Sequence, residues 1–234
     1  MTLAIGLIAS ETRQVETAAQ NIANLSTPGY KRQITFADAL GQADPSSPLA
    51  ALSPIRSPAA TDFTPGKMIH TGSPFDLALA GGGFFQVATE DGIAYLRGGA
   101  FRPDATGRLV TPQGWALQRA DGGDVVVRSS NWHVEPDGTV VDNGNPVAVI
   151  GTVSFRDPSA LMRAGNGRYL ANGAPPDDLA DPRIVQGFLE ASNVSNGDEM
   201  VRMMEAMRRV ESGQKLVHAY DDMMSAALQR MGGM

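Results

Sequence analysis

The chain has 234 residues and carries 19 Lys and Arg against 25 Asp and Glu, a formal net charge of −6 at pH 7. This charge, with no basic patch in the sequence, argues against nucleic acid as a partner, because Lys and Arg supply most of the affinity for phosphate. The absence of cysteine excludes disulfides, thiolate catalysis and zinc sites built on cysteine.

Residues 3–25 predict a first helix. They contain no proline, and apolar side chains recur with a spacing of seven, which is typical of a coiled coil. The apolar residues occupy two positions of the heptad. One position holds Ile8, Val15 and Ile22, and the other holds Ala4, Ala18 and Leu25. Glu11 is the one polar residue in the stripe. Thr27-Pro28-Gly29 is expected to end the helix, because proline disfavours helical geometry at the preceding residue and Gly29 can take a positive φ.

An extended connector is predicted next. Residues 41–65 are dense in Ala, Ser, Pro and Asp and have little apolar periodicity. We therefore assign residues 1–36 to the N-terminal helix and its turn, and residues 37–75 to the connector.

Residues 76–190 are predicted to form a β domain. Short runs rich in β-branched and aromatic residues predict strands at 84–87, 93–96, 124–127 and 147–150. Asp-Gly at 91, 121 and 137 and Asn-Gly at 143, 166, 172 and 196 favour tight hairpin turns, because both residues accept a positive φ. The pattern indicates an antiparallel, all-β domain with tight hairpins.

Residues 191–234 predict a second long helix, in which the spacing of seven returns. One stripe position holds Met203, Val210, Val217, Met224 and Met231, and the other holds Met200, Met207 and Leu228. Asn196 and Asp198 are candidate N-caps. Gly213 is expected to weaken this helix by up to about 1 kcal/mol relative to Ala. The predicted fold class is α+β, with coiled-coil-like N- and C-terminal helices flanking the central all-β domain.

The stripes leave two arrangements of the helices open. In the first, the helices pair with each other or fold back on the β domain. In the second, they become ordered only when subunits assemble, since amphipathic helices of this length are marginal alone in water.

Motifs for catalysis or metal binding are weak. His70, His133 and His218 lack the spacing of a metal site, and the glycines at 81–83 lack the following Lys-Ser or Lys-Thr of a phosphate loop. The acidic residues at 137–142 lack the ligand spacing of a calcium loop. A Ser-His-Asp triad stays open, because it is assembled in space, although no GxSxG elbow is present. We expect no metal, no cofactor and no enzymatic activity.

No membrane insertion is expected either. The longest apolar runs, 3–9 and 77–85, fall well short of the roughly 18 residues that a membrane-spanning helix requires. The first run lacks the preceding Lys or Arg and the following cleavage site of a secretory signal. If the protein leaves the cytoplasm, we expect a different export route.

Three ordered motifs resemble the bacterial flagellar rod and hook family. Residues 19–32, AQNIANLSTPGYKR, are similar to its N-terminal signature. Residues 71–87, TGSPFDLALAGGGFFQV, with 95–101, YLRGGAF, are similar to its central motif. Residues 190–194, EASNV, with 199–201, 208–211 and Lys215, are similar to its C-terminal helix.

The resemblance implies a non-enzymatic building block of the basal-body rod, the shaft that crosses the periplasm. It implies other rod proteins and copies of the same chain as partners, and export through the flagellar type III apparatus. The modest length and the Arg-Arg-x-Glu-x-x-x-Lys pattern favour the proximal rod, with the distal rod or the hook as alternatives. A secreted hydrolase or carbohydrate-binding β domain is the rival from another class.

Relatives place both terminal helices in an inner tube layer, which assigns roles to individual residues. The predicted inter-subunit helical core consists of Ile8, Val15, Ile22, Leu25, Met203, Met207, Val210, Val217 and Met224. The predicted turn from helix to connector consists of Asn21, Asn24, Pro28 and Gly29.

Overall fold

The computed structural model describes residues 2–35, 59–173 and 175–232. Two long helices, α1 (Thr2–Ala23) and α2 (Asn196–Gly232), lie at the ends of the described chain. A single turn of 3₁₀ helix spans Pro158–Ala160. The strands are β1 (Gln33–Thr35), β2 (Ala59–Thr61), β3 (Met68–His70), β4 (Asp76–Leu79), β5 (Phe84–Thr89), β6 (Gly92–Leu96), β7 (Gly98–Ala100), β8 (Arg102–Pro103), β9 (Leu109–Val110), β10 (Ala116–Leu117), β11 (Trp132–Val134), β12 (Thr139–Asp142), β13 (Asn145–Val149), β14 (Thr152–Ser154), β15 (Leu161–Arg163), β16 (Tyr169–Ala171), β17 (Asp177–Asp178), β18 (Ile184–Gln186) and β19 (Phe188–Glu190). Helices at both ends and strands between them confirm the predicted α+β class.

The described chain divides into two compact units. The helical unit contains residues 2–25, 33–35, 59–62 and 194–232, and the β unit contains residues 26–32 and 63–193. The two ends of the chain therefore belong to one unit. Neither helix, in its described residues, has a segment long and apolar enough to cross a membrane.

The helical unit consists of α1, α2 and the antiparallel pair β1–β2, in which Gln33 lies opposite Thr61. Both helices form where the apolar spacing of seven predicts them. The predicted connector falls largely on residues 36–58, which lie outside the described residues. Its later part contains β2 and also β3, which pairs with β19 in the β unit. These strands have no sequence periodicity, because each is three residues long and β3 is exposed throughout.

Antiparallel sheets build the β unit. Its largest sheet has the order β15-β16-β6-β5-β10-β9-β8, and β14 pairs with both β5 and β17. Smaller sheets have the orders β11-β12-β13, β18-β4-β7 and β19-β3. Residues 84–87, 93–96 and most of 147–150 lie in strands as predicted. The predicted strand at 124–127 is wrong: Asp124 and Val126 make single bridges to Gln118 and Arg108, because these neighbouring segments meet it at one residue each.

Strand β5 has a hydrophobic cluster on each side, because neighbouring residues of a strand point to opposite faces. Phe85 belongs to the main core, and Phe84 belongs to a second cluster. The main core includes Leu77, Val87, Leu109, Leu117, Val125, Trp132 and Ile150. The second cluster consists of Phe84, Tyr95, Val153, Phe155, Leu161 and Tyr169, with Phe63 packed against it.

The hairpin between β12 and β13 confirms one predicted turn. Asp142 lies opposite Asn145, so the turn is Asn143-Gly144, with φ of 52° and 78°. Positive φ at both residues defines a type I′ turn, whose twist matches that of the strands. Asn166 and Gly167, with φ of 50° and 74°, lie in the loop from β15 to β16. At 91, 121, 137 and 172 the glycine has a positive φ but the residue before it does not, so the prediction of positive φ at both residues is wrong there. Asn196-Gly197 begins α2.

The Tyr169 hydroxyl supplies a test of the second cluster. It is buried with no hydrogen-bond partner in the described part of the chain, and burial raises the pKa of Tyr169 to about 12. Unfolded tyrosine titrates near pH 10. Above that pH the unfolded state releases this proton while the folded state retains it, so the contribution to stability is complete below pH 10 and is lost between pH 10 and 12.

We expect Tyr169→Phe to change the free energy of unfolding at pH 7 by less than about 1 kcal/mol, since it removes a buried hydroxyl without a partner. The variant should lose less stability than the wild type between pH 9 and 11.5. Urea unfolding at a series of pH values measures the difference. Tyr220→Phe, on an exposed side chain of α2, is the control. Parallel pH profiles for wild type and Tyr169→Phe would contradict the expectation.

Candidate functional site

Helices α1 and α2 pair in an antiparallel arrangement within one chain. Asn21 contacts Glu199, the Glu11 carboxylate lies 3.6 Å from the Arg209 guanidinium, and Gly213 lies against Ile8. Moving back along α1 therefore corresponds to moving forward along α2. The structure therefore has the first of the two arrangements that the sequence leaves open, in which the helices pair with each other.

Small residues form the seam between the two helices. Ala18 and Ala206 are buried, and a Cβ on Gly213 would lie 2.9 Å from Cγ1 of Ile8, closer than side-chain carbons pack. Helix α2 continues unbroken through Gly213. Glycine is expected to weaken the helix at this position. It also lets the two helices approach closely, because any larger residue would require Ile8 to shift.

The predicted inter-subunit core falls into two groups in the structure. One group is half-buried and contains Ile8, Val15, Ile22, Leu25, Met203, Val210 and Val217. The other group is exposed and contains Met207 and Met224. Met224 and Val217 share a stripe position, yet they differ in burial. The role of both groups between subunits stays a prediction.

Register explains why Met224 is exposed. Pairing of Asn21 with Glu199 and of Glu11 with Arg209 places Thr2 opposite residue 218. The remainder of α2, residues 219–232, therefore extends past the first residue of α1. We call it the terminal segment of α2. Its described side chains include Tyr220, Met223 and Met224, which are 43%, 69% and 47% exposed.

A second exposed apolar surface lies on one side of α2. Met200, Met204 and Met207 follow the i, i+4, i+7 spacing that puts side chains on one helix face, and each is close to half exposed. We call these three residues the methionine face.

Asn21 connects α1 to both β1 and α2. Its side chain donates to the carbonyl of Gln33 and accepts from the amide of Gln33, both at 2.8 Å, so it pairs with that residue as a backbone segment would. It also donates to the Glu199 carboxylate at 3.1 Å. Asn21 and Glu199 are both buried. The residue predicted to shape the turn thus holds three parts of the helical unit.

The other predicted turn residues have separate roles. In the helical unit the Asn24 side chain donates to the carbonyl of Gln20 at 2.9 Å, one turn earlier. In the β unit Gly29 has a φ of +69°, as predicted, and its amide donates to the carbonyl of Glu190 at 2.7 Å. Pro28 is exposed.

The β unit contains a cluster of buried charges that the sequence did not predict. One Glu190 oxygen accepts from Lys31 Nζ at 2.5 Å and from the Gly66 amide at 2.7 Å. The other accepts from Arg97 Nε at 3.1 Å and Nη2 at 2.9 Å. The Lys31, Arg97 and Glu190 side chains are 0%, 3% and 1% exposed. We call these three residues the junction cluster, because they fix residues 29–32 to the residues that precede α2.

The glycines at 81–83 complete the junction cluster. The Arg97 guanidinium donates to the carbonyl of Gly81 at 2.6 Å and also to the carbonyl of Gly83. The loop thus offers acceptors to a cation, whereas a phosphate loop offers amide donors to an anion. Lys31 Nζ also donates to the carbonyl of Thr64 at 2.7 Å. The buried charges therefore hold neighbouring segments of the β unit together.

Other candidate groups have structural roles. The Asp142 carboxylate accepts from the hydroxyl of Ser129 and the amide of Arg128, and these hydrogen bonds lower the pKa of Asp142. The His70 ring packs edge-on against the Phe188 ring, with ring centroids 4.8 Å apart. Within the described residues, no three His, Asp or Glu side chains come together as a metal site would require.

Comparison with protein families matches three parts of the chain. "Flagella basal body rod protein" matches residues 6–31, "Flagellar hook protein FlgE/F/G D1 domain" matches 78–142, and "Flagellar basal body rod FlgEFG protein C-terminal" matches 185–230. Matches in both helices and in the β unit define a subunit of the flagellar rod and hook type.

Similarity to individual proteins identifies the family within this class. The flagellar basal-body rod protein FlgF of Caulobacter vibrioides is 33% identical over 94% of this chain and 92% of its own length. The FlgF of Escherichia coli is 32% identical over the same shares. The flagellar basal-body rod protein FlgG of Agrobacterium fabrum is 30% identical over 95% of each chain. The chain belongs to the flagellar basal-body rod protein family, whose members are structural components of the flagellar basal body.

Proposed function

We propose that this chain is a subunit of the proximal rod, that it assembles with copies of itself and other rod proteins through its terminal helices, and that the rod so formed transmits torque across the periplasm. The FlgF relatives of Caulobacter vibrioides and Escherichia coli, at 33% and 32% identity over 94% of the chain, support this position in the rod. Export through the flagellar type III apparatus belongs to the same proposal. The chain acts as a structural part and has no catalytic role.

The exposed apolar surface of α2 carries this proposal. The seam with α1 covers one side of α2 and leaves the methionine face in solvent. Beyond residue 218 the stripe continues without α1 beside it, so Met224 is exposed where Val217 is half-buried. A neighbouring subunit would cover both surfaces. The unbranched methionine side chain adapts to neighbours of different shape, which suits contacts between non-identical subunits.

Two truncations test the proposal. Deletion of the last 30 residues removes part of the seam, whereas deletion of residues 219–234 leaves the seam intact. We expect both chains to keep a folded β unit, judged by the fluorescence of Trp115 and Trp132, and to be absent from isolated basal bodies. The shorter deletion should also keep most of the helical circular dichroism. Normal incorporation of either truncated chain would overturn assembly through the terminal helix.

A further inference from the structure

We propose that the exposed methionines of α2 are sites of oxidation to methionine sulfoxide by peroxides, and that this modification prevents the unassembled subunit from joining the rod. The inference rests on the proposed function. Its sites are the methionine face, Met200, Met204 and Met207, together with Met223 and Met224 of the terminal segment.

Exposure selects these five side chains. The exposed fraction is 69% for Met223, 49% for Met204 and Met207, 47% for Met224 and 46% for Met200. Met203, one residue from Met204, is half-buried. Among the side chains of α2 that the structure describes, a peroxide molecule in solvent therefore reaches these five exposed thioethers more readily than it reaches Met203.

The reaction is a two-electron oxygen transfer. A lone pair of the thioether sulfur attacks one oxygen of hydrogen peroxide, the S–O bond forms and the O–O bond breaks. The sulfur becomes a sulfoxide, and the departing hydroxide takes up the remaining proton of the peroxide to leave as water. The product is polar and chiral, whereas the thioether is apolar and flexible. Sulfoxide reductases reverse the change.

Oxidation would alter the surface that the proposed function needs. A contact that buries a thioether gains from its apolar area, but the sulfoxide oxygen is a strong acceptor that requires a hydrogen-bond donor when it is buried. Burial of three such oxygens against an apolar neighbour, which offers no donors, would weaken the contact.

The β unit supplies a matched control. Met162 in β15 is 53% exposed, so it should oxidise at a rate similar to that of the α2 methionines. It lies outside the helices to which assembly is assigned. Oxidation of Met162 therefore reports exposure to peroxide without an effect on incorporation.

The experiment compares three full-length chains in cells that lack methionine sulfoxide reductases. They are the wild type, a variant with Leu at positions 200, 204, 207, 223 and 224, and Met162→Leu. Each chain is synthesised with and without hydrogen peroxide. Peptide mass spectrometry measures sulfoxide at each methionine, and immunoblots of isolated basal bodies measure incorporation.

With peroxide, we expect incorporation of the wild type and of Met162→Leu to fall at least fivefold, and that of the five-leucine variant to change less than twofold. An equal fall for the five-leucine variant would overturn the inference, as would unchanged incorporation of a wild type carrying sulfoxide on α2. If the five-leucine variant does not assemble without peroxide, single Leu replacements take its place, each expected to reduce the sensitivity. Absence of the untreated wild type from basal bodies would instead overturn the proposed function.

Discussion

Replacement of Glu190 by Ala is expected to destabilise the β unit by about 3–5 kcal/mol, because it leaves two buried cations without their carboxylate. Lys31 and Arg97 are almost completely buried, and each forms an ion pair with an oxygen of Glu190. Urea unfolding followed by the fluorescence of Trp115 and Trp132, both in the β unit, measures the change in free energy of unfolding.

Lys31→Met is expected to cost less than Glu190→Ala. It removes one of the two buried cations and leaves Glu190 paired with Arg97 through two hydrogen bonds. Glu135→Ala, at an exposed position of the same unit, is the control and should change stability by no more than about 0.5 kcal/mol. Equal losses for Glu190→Ala and Lys31→Met would contradict the expectation that losing the shared carboxylate costs more than losing one cation.

Asn21→Ala should destabilise the helical unit by about 2–4 kcal/mol. The substitution removes both hydrogen bonds to the backbone of Gln33 and the bond to the buried Glu199 carboxylate, and buried groups left without partners cost about 1–3 kcal/mol each, partly offset by relaxation. Circular dichroism at 222 nm during urea unfolding follows this unit, since α1 and α2 are its long helices. Asn24→Ala, which loses a local bond within one turn, should cost about 1 kcal/mol or less.

A charge change separates the two roles of Asn21. Asn21→Asp places a second carboxylate beside Glu199 and should be worse than Asn21→Ala. Glu199→Gln in the same chain should recover much of the loss, and the double-mutant cycle gives the coupling between the two positions. Coupling near zero would show that the hydrogen bond to Glu199 does not contribute to the effect.

The sequence predicted those features that depend on local spacing. An apolar repeat of seven residues predicts a helix whatever its partner, so both α1 and α2 follow from the pattern. Asn143-Gly144 forms a tight turn because both residues accept the positive φ that the turn requires. These elements are set by residues within a few positions of one another.

Features that depend on distant segments were not predictable in this way. The stripe does not reveal that Gly213 allows Ile8 to approach, because the partner lies at the other end of the chain. Lys31, Arg97 and Glu190 each lie in a motif that resembles the flagellar family, yet nothing in their separate segments indicates that they share one cluster. The sequence shows only that each of these three charged residues lies beside apolar or glycine-rich residues.

The order in which the chain is synthesised gives the Glu190 interactions a further consequence. Glu190 bonds to Lys31 across 159 residues and to Arg97 across 93, and Asn21 bonds to Glu199 across 178. A chain that emerges from its N-terminus cannot close either set of bonds until most of it has been made. Closure of such long loops is slow compared with local pairing. About the first thirty residues therefore cannot form these native contacts until about the last fifty residues have been synthesised. Completion of the native state is thus a late event.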